Sequence, residues 1–81
     1  MNIANSFKQQ LLDHLLEADS REQLDIRLRQ LLTQTEYEEV CTRLQILAQL
    51  KQGIPQRKIA ESLGVGIATV SRGARVLKEQ N

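Results

Sequence analysis

The sequence has no tryptophan, and phenylalanine, tyrosine, proline, cysteine, methionine and histidine occur once each, beside four glycines. A lone cysteine, Cys41, excludes an internal disulfide, and a lone histidine, His14, with no cysteine at ligand spacing leaves no side-chain set for a zinc site. So little proline and glycine excludes collagen-like and proline-rich repeats. No apolar run is long enough to cross a bilayer. The N-terminal Met1-Asn2-Ile3-Ala4-Asn5 lacks the basic region and apolar stretch of a secretory leader, so a reducing, cytoplasmic setting is expected. No Ser/His/Asp set and no convergent acid, base and nucleophile are visible, so no enzyme is expected. Charge of one sign is lacking too: the formal net charge is +1, which announces no polyanionic partner.

What is there is a chain of 81 residues, 41% hydrophobic and 26% charged, which suits one small domain over residues 1–81 and not a disordered tail. A core drawn from so short a chain, with no disulfide or metal to staple it, is marginal, and oligomerisation is the expected remedy. Charge is unevenly spread. Residues 1–50 carry five Lys/Arg against eight Asp/Glu, whereas residues 51–81 carry six (Lys51, Arg57, Lys58, Arg72, Arg75, Lys78) against Glu61 and Glu79. The basic end is the C-terminal one.

Helical periodicity runs through nearly the whole chain, nothing alternates like a strand, and the expected fold class is all-α with five helices. From Asn5 to Glu17, Phe7, Leu11, Leu12, Leu15 and Leu16 recur at helical spacing. Ser20 with Gln23 reads as a capping box for a second helix with Leu24, Leu28, Leu31 and Leu32 on one stripe. Two boxes, Thr33 with Glu36 and Thr35 with Glu38, compete for the start of a third helix that carries Val40, Leu44, Leu47 and Leu50 and stops at Gly53. Pro55 suits the first turn of a short fourth helix through Leu63. A turn at Gly64-Val65-Gly66 leads to a fifth helix from about Ile67 to Glu79.

The last two helices carry a helix-turn-helix pattern, residues 55–79. Counting from Gln56 as the first position, Ala60 falls fifth, Gly64 ninth and Val70 fifteenth, with Ile59, Leu63 and Val65 at other core positions. A small residue is needed where two helices cross closely, φ > 0 at a sharp inter-helix turn, and a branched apolar side chain to pin the second helix to the first. The helix so presented to a major groove opens on small side chains. Ile67 and Ala68 suit thymine methyls, Thr69 a base edge directly or through water, and Gln56, Arg57, Ser71 and Lys78 phosphates, with Gly66 letting backbone come close. Gly73 breaks the pattern at the eighteenth position, usually large and apolar, and glycine inside a helix costs about 1 kcal/mol relative to alanine. Bare backbone there leaves room for a flat molecule or another helix.

The stretch Gly66-Ile67-Ala68-Thr69-Val70-Ser71-Arg72-Gly73, with Leu77-Lys78, closely resembles the reading helix of the tryptophan repressor family. Cys41-Thr42-Arg43-Leu44-Gln45-Ile46-Leu47, then Gly53, Gln56-Arg57 and Leu63-Gly64, resemble that family's third and fourth helices. The resemblance runs from about Leu31 to Lys78 and before that rests on helical pattern alone. It implies an intertwined homodimer that binds one tryptophan per subunit between the third helix and the reading head, as a repressor on a palindromic operator in double-stranded DNA. The tryptophan repressor is itself among the proteins that define helix-turn-helix docking, so the spacing of about 34 Å between reading heads is carried over with the resemblance. By the same resemblance Arg43 stacks on the indole, Arg72 pairs with the carboxylate and covers the other face, and the ring packs on Gly73. Thr33 lies near the carboxylate, and the backbone carbonyls of Gln30 and Leu32 take the ammonium.

The sequence departs from the family twice. Val76 stands where the family has a serine whose hydroxyl helps hold the ammonium, and one hydrogen bond to a charged group is worth roughly 1.5–3 kcal/mol. The expected effector is therefore L-tryptophan or an indole carboxylate without the amine, such as indole-3-acetate. An assembly without the family's short last helix is also expected, in which Leu11, Leu12, Leu15 and Leu16 supply more of the subunit contact.

Plainer readings stand beside these. Arg43 follows Glu38 and Glu39 at helical spacing and could serve only as a surface ion-pair partner. Cys41 is expected to be a buried, inert thiol, and His14 a solvated or core-edge side chain. Gly64-Val65-Gly66 follows no strand and is a turn, not a dinucleotide fingerprint. Two other functions compete with a ligand-gated repressor: a DNA-binding module that needs no ligand, and a helical protein-interaction domain.

Overall fold

The computed structural model describes residues 3–80, with side chains from Asn5 onward; Met1 and Asn2 of the N-terminal stretch read above lie outside the described residues, as does Asn81. Five helices follow one another: α1 (Ile3–Leu16), α2 (Arg21–Leu31), α3 (Gln34–Lys51), α4 (Gln56–Leu63) and α5 (Ile67–Gln80). No strand occurs among the described residues.

Each boundary has a local cause. Ser20, in extended conformation at the N-cap of α2, accepts the Gln23 N–H at 3.1 Å. Gln23 closes the box one residue early, its Oε1 accepting from the Asp19 N–H at 3.2 Å. Of the two boxes competing for α3, Thr33 with Glu36 forms: Thr33 N–H donates to Glu36 Oε1 at 2.8 Å, and Glu36 N–H donates to Thr33 Oγ1 at 3.1 Å. The reason lies upstream. Leu32 ends α2 in an extended conformation (φ −114, ψ 143), so Thr33 is the first residue free to cap. Glu36 is thereby held below the usual carboxylate range, chiefly by the Thr33 backbone N–H and then by its hydroxyl.

Gly53 (φ +82) ends α3 in a Schellman arrangement, with Ile54 N–H bonded to Gln49 O at 3.2 Å and Gly53 N–H to Leu50 O at 3.0 Å. Pro55 sits one residue earlier than its sequence reading, at the N-cap of α4, where its carbonyl accepts from Ile59 N–H at 3.1 Å. Gly64 ends α4 at φ +67, ψ +34, the left-handed conformation that the turn requires.

Packing divides the chain into two compact units, one up to Tyr37 and one from Glu38. In the first, Arg27 of α2 donates to the His14 carbonyl at 2.9 Å and to His14 Nδ1 at 3.0 Å, and lies 3.4 Å from Glu17. It thus satisfies one of the carbonyls that the end of α1 leaves without a donor. Tyr37 donates to Asp25 Oδ1 at 2.7 Å, and this bond, followed by one from Arg29, holds the Asp25 carboxyl below its ordinary range. No described residue of this unit is buried, and Phe7, Leu11, Leu12, Leu16, Leu24, Ile26 and Leu31 are all exposed, Leu16 by 81%.

In the second unit Ile46, Ile59 and Val70 are buried, one each from α3, α4 and α5. Leu50, Ile54, Ala60, Leu63 and Val65 pack around them. Each fully buried aliphatic of this kind contributes about 1.5–3 kcal/mol before entropic costs. The burial expected of Cys41 does not occur: its thiol is exposed. Its helix turns a buried face inward only from Ile46 on, and Val40 and Leu44 on either side of Cys41 are exposed as well.

Candidate functional site

The helix-turn-helix lies wholly in the second unit. Ile59 and Val70, both fully buried, hold α4 and α5 together, half-buried Ala60 and Val65 pack beside them, and the Val65 N–H bonds to Ala60 O at 3.1 Å across the turn. That arrangement leaves the opening of α5 bare. Gly66, Ile67, Ala68 and Thr69 are all exposed, Ile67 by 51%. Gly66 is a glycine that the chain itself does not need, since its φ is not positive and a Cβ there would meet nothing within 4 Å.

Beside this edge Gln56 and Arg57 are exposed on the first turn of α4, and Ser71 donates to Gln56 Oε1 at 2.8 Å. Lys78 is exposed two turns further on, about 10 Å along the axis of α5 from Ser71. Gln56 and Ser71 are therefore in direct contact, Gly66 to Thr69 are contiguous, and Lys78 stands apart. Arg75, one turn after Ser71, is a further exposed cation that the motif comparison passed over and that i, i+4 spacing from Ser71 would have found.

On another side of α5, Thr69, Arg72, Gly73 and Val76 face Arg43, Ile46 and Leu47 of α3 across a part-open cleft of ≈ 250 Å³. Four residues singled out in the sequence for a ligand, Arg43, Arg72, Gly73 and Val76, are thus brought together. Ile46, Leu47 and Thr69 complete the lining: Thr69 was read in the sequence only for DNA, and Ile46 and Leu47 were missed, although their spacing of three and four from Arg43 puts them on its face of the helix. Gly73 owes its identity to packing: a Cβ there would fall 2.9 Å from Ile46 Cγ2 and 3.4 Å from Leu50 Cδ1. Of the two occupants allowed for, a neighbouring helix is the one that lies against it.

Gln30, Leu32 and Thr33 belong to the first unit. Gln30 borders a hollow shared with His14, Gln23, Ile26 and Arg27. Gln30 and Leu32 stand at the C-terminal end of α2, where helix geometry leaves carbonyls without intrahelical donors and gathers partial negative charge. The Thr33 hydroxyl is engaged in its cap.

Chemically, the cleft offers two guanidinium groups, an aliphatic floor and one hydroxyl, with no carboxylate among its lining residues. Planar guanidinium groups stack on aromatic faces and pair bidentately with carboxylates. The volume falls below the ~300–1,000 Å³ of pockets for drug-sized ligands, which suits a flat organic anion of amino-acid size. No group of three His, Cys, Asp or Glu side chains among the described residues could hold a metal ion. No described helix is long and apolar enough to cross a membrane.

Comparison with known proteins agrees with this geometry. The family model for the Trp repressor protein matches residues 7–81. The Trp operon repressor homolog of Photobacterium profundum is 45% identical over 74 residues, spanning 90% of this chain and 72% of its own. That of Vibrio cholerae is 42% identical over 74 residues, with the same shares, and that of Actinobacillus succinogenes 39% identical over 75 residues, spanning 91% of this chain and 70% of its own. No solved structure gives a significant match. The chain therefore belongs to the Trp repressor protein family, whose members are helix-turn-helix regulators of transcription and not enzymes.

Proposed function

We propose that this chain is a ligand-responsive repressor that binds a palindromic operator as a homodimer in the cytoplasm, with L-tryptophan as effector and an indole carboxylate such as indole-3-acetate as the close second. One observation carries the reading: Thr69 belongs both to the exposed edge that opens α5 and to the cleft where Arg43 and Arg72 lie. A ligand in that cleft touches the same helical turn that a major groove would touch. The names of the relatives, Trp operon repressor homolog, support the same choice of effector and target.

In this reading Gly66, Ile67, Ala68 and Thr69 meet base edges, and Gln56, Arg57, Ser71 and Lys78 make up the surface that faces the DNA backbone. Arg43 and Arg72 bracket the ring, Arg72 also takes the carboxylate, and Gly73 and Val76 form the wall. The carbonyls of Gln30 and Leu32, with Thr33, are proposed as amine and carboxylate contacts on the family resemblance alone. Val76 supplies methyl groups and no acceptor, which is why a ligand without an amine remains a competitor. The exposed leucines of α1 form the homodimer contact, and residues 1–81 act as one domain in that assembly.

Calorimetric titration with each ligand tests the cleft. Heat of binding with L-tryptophan or indole-3-acetate that disappears in Arg72→Ala is expected, and no heat with either ligand removes the effector. For the DNA edge, Ala68→Glu is expected to abolish the gel shift of a duplex selected by the wild-type chain; an unchanged shift would refute the assignment.

A further inference from the structure

The 2.8 Å hydrogen bond from Ser71 Oγ to Gln56 Oε1 joins the fifth residue of α5 to the first residue of α4, fifteen positions apart in sequence. Ser71 is half-buried and Gln56 exposed. From this geometry we infer that Ser71 is a positioning residue for DNA binding: it acts by orienting the Gln56 side-chain amide toward a backbone phosphate, not by meeting a phosphate itself. The inference rests on the DNA-binding reading above and assigns a division of labour within it.

The argument is one of donors and acceptors. A glutamine amide has one face that attracts an anion, the NH2 with its two donors, and one that repels it, the carbonyl oxygen. With Oε1 taken by the Ser71 hydroxyl, only the donor face is left for an outside partner. A free glutamine at the start of a helix samples many rotamers, and fixing so long a side chain on binding costs conformational entropy. The hydroxyl removes part of that cost in advance, at a point where the start of α4 already favours negative charge. Ser71 has a single hydroxyl hydrogen, and in this geometry it is directed at Gln56, so it has none to donate to a phosphate.

A double-mutant cycle on the full chain tests this, with a duplex selected from a random library by the wild-type chain and an unrelated duplex as probes. Gln56→Ala and Ser71→Ala are each expected to weaken binding roughly three- to tenfold on both duplexes, since phosphate contacts position without specifying. In the Gln56→Ala background, Ser71→Ala is expected to cost nothing further; with Gln56 present, Ser71→Thr, which keeps the hydroxyl, is expected to bind as the wild-type chain does where Ser71→Ala does not. Neither variant changes the salt dependence, because neither removes a charge, whereas Lys78→Ala lowers the slope by about one phosphate's worth of counterion. Additive losses from the two alanine variants would overturn the inference while leaving the DNA reading intact. Failure of the wild-type chain to bind either duplex at low salt would overturn both.

Discussion

The two compact units of this chain solve the problem of small size differently. From Glu38 onward, three helices share a core of Ile46, Ile59 and Val70 and need nothing else to hold the turn at Gly64. Up to Tyr37, α1 and α2 are held by caps, the Arg27 bonds to His14 and the Tyr37 bond to Asp25, and no described residue is buried. A reading head with its own core can keep its shape while a partner comes and goes. Helices that leave Phe7 64% and Leu16 81% exposed depend on a second surface, which in our proposal is another copy of the chain.

The contrast is broken most severely at its strongest point. Ile59→Ala, at a fully buried position, is expected to cost about 2–5 kcal/mol and to unfold the reading head in a urea titration. Leu16→Ser is expected to leave the unfolding of a dilute monomer within about 0.5 kcal/mol, because it changes an exposed side chain. Its effect appears in assembly: sedimentation shifts from dimer to monomer, and the melting temperature stops rising with concentration. Equal stability losses for the two substitutions would erase the distinction between the units.

A smaller effect separates two glycines. Gly73→Ala forces a Cβ against Ile46 and Leu50, and overpacking of about 1–3 kcal/mol outweighs the roughly 1 kcal/mol that alanine returns to a helix. A net loss of about 1 kcal/mol, with weaker ligand binding as Ile46 is displaced, is expected by thermal melts and calorimetry. Gly66→Ala meets open space and is expected to leave the melting temperature unchanged while weakening DNA binding. Loss of stability at Gly66 with no change in DNA binding would reverse the roles assigned to them.

How much of this the sequence disclosed depends on how local the cause is. The Ser20 cap, the Gly53 stop, the left-handed Gly64 and the buried Val70 follow from residue type and spacing, and each was legible. The choice of Thr33 over Thr35 was not, because it turns on the extended conformation of Leu32. Cys41 misled because a helical wheel shows which residues share a face but not whether anything covers that face in one chain. Arg43, Arg72 and Val76 were found through the family resemblance and Gly73 first through its break with the motif, whereas Ile46 and Leu47 became cleft residues only when the packing of α5 on α3 was known. Gly73 looked like a ligand feature and is also a packing requirement, a distinction that takes a distance to make.

The smallest effect concerns the first unit alone. Glu36 and Asp25 both titrate below their ordinary values of 4.5 and 3.8. A carboxyl depressed on folding stabilises above its unfolded value and loses that contribution as pH falls through the folded one. Stability is therefore expected to decline as pH drops from about 4.5, and Glu36→Gln is expected to flatten part of that decline in melts across acid pH. Thr33→Ala, which removes the same cap, is expected to cost about 1 kcal/mol at neutral pH.

The most direct test of the central claim is a fluorescence anisotropy titration of a selected palindromic duplex, with and without saturating L-tryptophan or indole-3-acetate. The account predicts a ligand-dependent change in affinity of about 5- to 150-fold that vanishes in Arg72→Ala. Identical curves with and without both ligands, or a duplex that stays unbound at low salt, would contradict it.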